Sequence, residues 1–462
     1  MLFRWIAAIA PLVAIACHAQ ALPPTVEAAL ARAKLPREAL VAYVADADGK
    51  TTARLAWRAN VAVNPASIAK LATTFAALEL LGPAYTWTTA VYADGAIQNG
   101  TLDGNLYIQG RGDPKLVSER VWLLLRRVQG LGIRHITGDI VLDHAAFDVP
   151  AQDPGAFDGE PLRPYNASPD ALLVNFKSVL MTFTPAGSRA LVHVEPPMAG
   201  VQFPREVVMQ PGCGDWRAAL HADFASPARV RFTGHYGAAC GERNWPLAYA
   251  QPAAFAGRAI AGMWQHVGGT LKGQVRDGRV PAGLQPAFEA TSPPLAEVIR
   301  DINKFSNNVM AQQVFLTLGL QRGAPATFET GREALRGWWR DRIGGDPPAF
   351  QNGSGLARDE RITALQLGRL LHAVWGSPLM PELISSLPLG GVDGTLRRGR
   401  TPSAQGIAHL KTGSLRDVQG VAGFVDGPNG KRYVLVAIVN HADASAGQAA
   451  IDALVAWTAQ GE

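Results

Sequence analysis

The chain changes texture twice, and those changes limit its architecture more than any single residue does. Residues 22–85 read as a short helix, a hairpin around Asp46-Ala47-Asp48-Gly49, and a second helix in which Ile68, Leu71, Phe75 and Leu78 recur three and four apart. Asn64-Pro65 offers this helix an N-cap and a proline at its first position, and Gly82-Pro83 stops it. Over 86–284, short strand-like runs (Leu106-Tyr107-Ile108, Ile140-Val141-Leu142, Val230-Arg231-Phe232) alternate with turns, and long helical stripes are scarce. Residues 150–170, rich in Pro, Gly and Asp, read as an ordered surface loop. Helices return at 294–303, 307–318, 330–342 and 364–375, followed by strands at 407–412, 418–424 and 433–440 and a last helix over 447–457. The two ends can share one sheet, with the β-rich middle inserted between 22–85 and 285–462.

A chain of 462 residues has room for two or three domains, and 18% charged with 48% hydrophobic residues argues against disorder. Residues 1–21 read as a cleavable signal peptide: Arg4 precedes an apolar run too short to span a bilayer comfortably, and Ala19-Gln20-Ala21 supplies small residues for cleavage. Acylation of Cys17 as a lipoprotein is the rival reading, which Ala14 fits poorly. An exported, periplasmic protein without a transmembrane anchor is expected. Cleavage removes Arg4 and no acid, so the net charge of +5 becomes +4. That excess suits weak contact with an anionic wall polymer or membrane surface, and without basic blocks interleaved with aromatics it does not suggest nucleic-acid binding. Cys213 and Cys240 then remain as a pair, which in an oxidising compartment forms a disulfide. The ten histidines show no metal-ligand spacing, so neither a metal nor another cofactor is expected.

Three short motifs carry chemistry. In Ser67-Ile68-Ala69-Lys70 the serine and lysine share a helix face, so the amine can take the hydroxyl's proton. A serine in the first turn also sits among free N–H groups that suit an oxyanion. Ser306-Asn307-Asn308 opens another helix, where a hydroxyl and an amide can relay a proton and hold a carbonyl, although an N-cap serine is its plainer meaning. In Lys411-Thr412-Gly413-Ser414, between two strands, lysine and threonine can bind a carboxylate and glycine admits a close ligand; the plain alternative is a solvated edge-strand lysine.

Together they match the S-x-x-K, S-x-N and K-T-G triplet of serine penicillin-recognising enzymes. With Gly110-Arg111-Gly112-Asp113-Pro114, Gly353-Ser354-Gly355-Leu356-Ala357-Arg358 and Leu387-Pro388-Leu389-Gly390-Gly391-Val392-Asp393-Gly394-Thr395-Leu396, the mature chain resembles the class C low-molecular-mass penicillin-binding proteins, the D-alanyl-D-alanine carboxypeptidase/endopeptidase family. The resemblance implies an α/β fold: a β-lactamase/transpeptidase-like sandwich with a large β-rich insertion of one or two domains. It also implies roles: Ser67 as nucleophile, Lys70 as base, Ser306 and Asn308 as proton shuttle and substrate guide. Lys411 and Thr412 would bind the terminal carboxylate, beside Gly413, with the Ser67 and Ser414 N–H groups as oxyanion hole. Arg358 and Arg416 would meet a substrate side chain. Peptidoglycan stem peptides are the implied substrates and β-lactams the implied covalent inhibitors. Gln351 and Ala357 depart from the family's usual aspartate and serine.

Other readings differ in class. A β-lactamase needs a water-activating base, and no Glu-x-x-Leu-Asn segment is present. A D-specific amidase or esterase would use the same motifs. A non-catalytic wall-binding scaffold would have no reason to keep Lys70 and Lys411 together.

Overall fold

In the computed structural model, which describes residues 21–397 and 404–461, a five-stranded antiparallel sheet joins the two ends of the chain. Its order is Leu55–Trp57, Leu40–Asp46, Arg432–Asn440, Val418–Asp426 and Ala408–Leu415, and Val44 pairs with Leu435. Both faces of this sheet are buried, so its central strands carry near-continuous apolar runs, Leu40–Ala45 and Tyr433–Val439, instead of alternating with polar residues. Leu40, Ala42, Val44, Leu435, Ala437 and Val439 face a layer containing Val26, Leu30, Ile451 and Leu454 from the helices Pro24–Arg32 and Gln448–Gln460. Val41, Tyr43, Ala45, Val434, Val436 and Ile438 face the larger helical layer. There the helices Lys70–Leu81 and Asn308–Leu320 are buried almost all round, which is why they carry apolar residues on every side.

A second apolar core runs from Val91 to Phe288 and contains none of the sheet above. Two helices that the sequence reading missed lie in it, Ser118–Gly130 and Pro252–His266. The first crosses between Leu106–Gln109 and Ile140–Asp143, which pair in parallel and therefore need a crossover. Cys213 and Cys240 are disulfide-bonded in the same region, with Cα atoms 4.8 Å apart.

Residues 150–170 do more than cover the surface. The loop folds on Asp158, whose carboxylate accepts from Tyr165 Oη and Asn166 Nδ2 (both 2.8 Å). At its end the Asp170 backbone exchanges two hydrogen bonds with the side chain of Gln313 on the Asn308 helix (2.9 and 2.8 Å). The expected signal peptide, residues 1–21, lies outside the described residues up to residue 20, Cys17 included. No helix among the described residues is long and apolar enough to cross a membrane.

Candidate active site

Ser67 lies in a 3-10 turn (Ala66–Ala69) that continues into the α-helix Lys70–Leu81, which starts about one turn later than the Pro65 expected for it. Asn64 does not cap that helix. Its Oδ1 accepts the Ala66 N–H (2.8 Å), holding Ala66 at φ +48°, and its backbone exchanges two hydrogen bonds with the Asn440 side chain at the end of the central sheet. Asn64 Nδ2 reaches the Ala357 carbonyl (2.9 Å). The serine turn is thus pinned between the sheet and the segment 351–358.

Two glycines make the pinning possible. A Cβ on Gly355, at φ +78°, would lie 1.9 Å from the Ala66 carbonyl oxygen, and one on Gly413 would lie 2.6 Å from that of Pro65. Gly355→Ala is expected to displace the Ser67 turn and slow acylation by β-lactams by about 100-fold or more. A stopped-flow acylation assay at matched folded fraction measures this; a loss below about threefold would show that the turn is not held there.

The lysine of the first motif is fully buried. Its Nζ donates to Ser67 Oγ (2.9 Å), Asn308 Oδ1 (2.7 Å) and the Ser354 carbonyl (2.5 Å). Desolvation first, and the Lys411 charge second, hold Lys70 well below the usual lysine range, while the Glu360 carboxylate opposes them. An amine so placed can accept the serine proton. Lys411, also fully buried, donates from Nζ to Ser306 Oγ (2.9 Å) and to its neighbour's carbonyl, and burial lowers it to about 7.

Ser306 departs from the helix-opening position expected for it. It ends the preceding helix, Leu295–Phe305, in the left-handed region (φ 56°), and Asn307 caps the next helix by accepting from Met310 N–H. A non-glycine residue in that region is strained, and here the strain turns the Ser306 hydroxyl to Lys411. Asn308 spans the site: Oδ1 accepts from Lys70, and Nδ2 donates to the Tyr165 carbonyl of the loop (3.1 Å). Lys411, Thr412, Gly413 and Ser414 fill the second half of the edge strand Ala408–Leu415, just before the turn to the next strand. Ser414 Oγ donates to Gln419 Oε1.

Arg358 and Arg416 are exposed. Arg358 stacks over the Phe157 ring (4.5 Å to its centroid), donates to the Phe157 carbonyl and comes within 3.5 Å of Asp417. Arg416 occupies the turn between the last two strands of the edge hairpin. A cavity of about 240 Å³, walled by Phe157, Tyr165, Gln312 and Leu356, opens beside Asn352. A larger one of about 750 Å³ lies behind the 150–170 loop, among His144, Asp170 and Lys177, and touches none of the three motifs.

Four contributors escaped the sequence reading: Tyr165, Thr395, whose hydroxyl meets that of Thr412 at 2.8 Å, Ser354 as a carbonyl acceptor, and Glu360. Ser354 and Thr395 lay in segments that carry the resemblance, and Tyr165 and Glu360 gave no local signal.

The chain has relatives among known proteins. D-alanyl-D-alanine carboxypeptidase from Actinomadura sp. is 29% identical over 398 residues, 82% of this chain and 73% of the relative. D-alanyl-D-alanine carboxypeptidase DacB from Haemophilus influenzae is 27% identical over 421 residues, 88% of this chain and 86% of the relative. The crystal structure of penicillin-binding protein 4 (dacB) from Haemophilus influenzae shares the fold, with a TM-score of 0.74 at 24% identity over 94% of this chain and 99% of that one. The profile of the D-Ala-D-Ala carboxypeptidase 3 (S13) family matches residues 22–461, essentially all of the chain after the expected leader. The chain therefore belongs to the D-Ala-D-Ala carboxypeptidase 3 (S13) family of serine peptidases.

Proposed function

We propose that Ser67 is acylated by peptidoglycan stem peptides ending in D-Ala-D-Ala. The observation that carries this reading is the buried Lys70 amine, lowered by desolvation and 2.9 Å from the Ser67 hydroxyl. As Ser67 Oγ bonds to the penultimate D-alanine carbonyl carbon, its proton passes to Lys70. The Ser67 and Ser414 backbone N–H groups receive the oxyanion. The C–N bond then breaks as Lys70 gives that proton back to the leaving amine by way of Ser306, which Lys411 orients, so that Lys70 is again a neutral amine. Asn308 holds Lys70 on one side and the 150–170 loop on the other. Thr412, braced by Thr395, and Lys411 bind the terminal carboxylate, while Arg358 and Arg416 meet the preceding side chain. Water, activated by Lys70, releases the peptide. β-Lactams acylate the same hydroxyl.

The two cores support a division into a discontinuous catalytic domain, 22–85 with 285–462, and inserted domains over 86–284. Residues 1–21 direct export to the periplasm, whose oxidising conditions suit Cys213–Cys240.

Purified protein incubated with wall fragments and read by mass spectrometry tests this. Pentapeptides shortened by one alanine are expected from carboxypeptidase action, and cross-linked dimers split into monomers from endopeptidase action. Intact substrates with both, under conditions where the protein is folded, would overturn the reading.

A further inference from the structure

Glu360 is a buried carboxyl, 1% exposed, that the reaction above does not use. Its Oε1 accepts the backbone N–H groups of Gln351 (3.0 Å) and Asn352 (3.5 Å), and its Oε2 is buried without a hydrogen-bond partner among the described residues. Those two N–H groups open the tight turn whose Ser354 carbonyl accepts from Lys70. The same turn is tied from inside by Asn352 Oδ1, which accepts from the Ser354 N–H and hydroxyl. Thr73 of the Lys70 helix donates to the Gly353 carbonyl (2.7 Å). Glu360 therefore grips the turn from the side opposite Lys70.

The charged groups around it come from four segments. Lys70 faces it from its helix, and Lys411 on the edge strand acts on Lys70 from beyond. Arg332, on the helix Phe328–Arg342, donates to the Gln351 carbonyl, and Arg361 donates to the carbonyl of Glu360 itself. Burial raises the carboxyl to about 7, against its two N–H donors and Lys70. In return its charge favours the protonated form of Lys70.

We propose that Glu360 is a positioning residue for Ser67 acylation: it fixes the Ser354 carbonyl against Lys70, and its negative charge opposes loss of the Lys70 proton. This rests on the Ser67–Lys70 reading. An isosteric neutral amide keeps an acceptor for Gln351 and Asn352 and removes only the charge, so Glu360→Gln separates the two parts of the role. Glu360→Leu removes both.

The test is the rate constant for benzylpenicillin acylation, followed by intact mass across about pH 5–10. Without the anion Lys70 loses its proton at lower pH, so the acid limb of Glu360→Gln is expected to move down by about one unit, with the plateau within about threefold of wild type. Glu360→Leu is expected to lose about tenfold or more at the plateau as the Ser354 carbonyl shifts. A Glu360→Gln limb at or above the wild-type position, or equal plateaus for the two variants, overturns the role of Glu360 while wild type is still acylated. Wild-type protein that takes no adduct overturns the acyl-enzyme reading, and the role of Glu360 with it.

Discussion

Ser67→Ala is expected to lose D-alanine release by about 10⁴-fold or more and to take no penicillin adduct, while melting like wild type. The size of the effect follows from the path. Every turnover passes through a bond to the Ser67 oxygen, and neither Lys70 nor Ser306 stands in for it, because the amine is fully buried and Ser306 is committed to Lys411. Stability is little changed because Ser67 Oγ contributes one hydrogen bond, to Lys70. Intact mass spectrometry after brief exposure to benzylpenicillin measures the adduct, and release of D-alanine from a pentapeptide measures turnover. A single adduct persisting in the variant would place the nucleophile elsewhere.

Lys411→Met separates activity from stability in the opposite sense. Activity is expected to fall by about 10³-fold, because the Ser306 proton path and the carboxylate site both lose their cation. Stability at neutral pH is nevertheless expected to rise, on the order of 1–4 kcal/mol, because an apolar chain of similar volume replaces a buried amine. The pH dependence fixes the sign. Folded Lys411 titrates near 7 and the unfolded residue near its ordinary value of about 10.4. Between these the unfolded state binds more protons, so wild-type stability rises with pH through that window. The variant's advantage is therefore largest at or below about pH 7 and fades toward about pH 10.4. Thermal melts of both proteins at three pH values check this; an advantage that grows with pH would contradict the burial argument.

Much of the site was legible because two of its motifs are local. Ser67 and Lys70 stand three residues apart, and a helical turn brings them together whatever surrounds it. Lys411 to Ser414 needed only a strand. The helix-and-hairpin start and the helix–strand finish also indicated that both chain ends could share a sheet. By contrast, the left-handed Ser306 is imposed by packing between two helices, and its triplet looks like an ordinary helix start. Glu360, Thr395 and Tyr165 act through bonds to distant segments, so neither spacing nor residue type marks them. The helix Ser118–Gly130 was hidden by its own solvent face, where exposed Trp122 and Leu123 blur the apolar stripe of Val121, Leu124, Leu125 and Val128. In Pro252–His266, alanine and glycine weaken the contrast between faces.

The pairing of Val44 with Leu435 has a consequence for biogenesis. The first strand waits for a partner encoded near the other terminus, and the clamp between Asn64 and Asn440 closes only after that partner arrives. Long-range pairing of this kind is slow, whereas the central region has its own core, whose last strand, Phe288–Thr291, is made well before Arg432–Asn440. As the chain emerges, the middle can become ordered first and the nucleophile turn last. A truncated or stalled product would then be a folded middle region bearing an unassembled, chemically silent serine, and hydrolytic activity would be withheld until Arg432–Asn440 has joined the sheet.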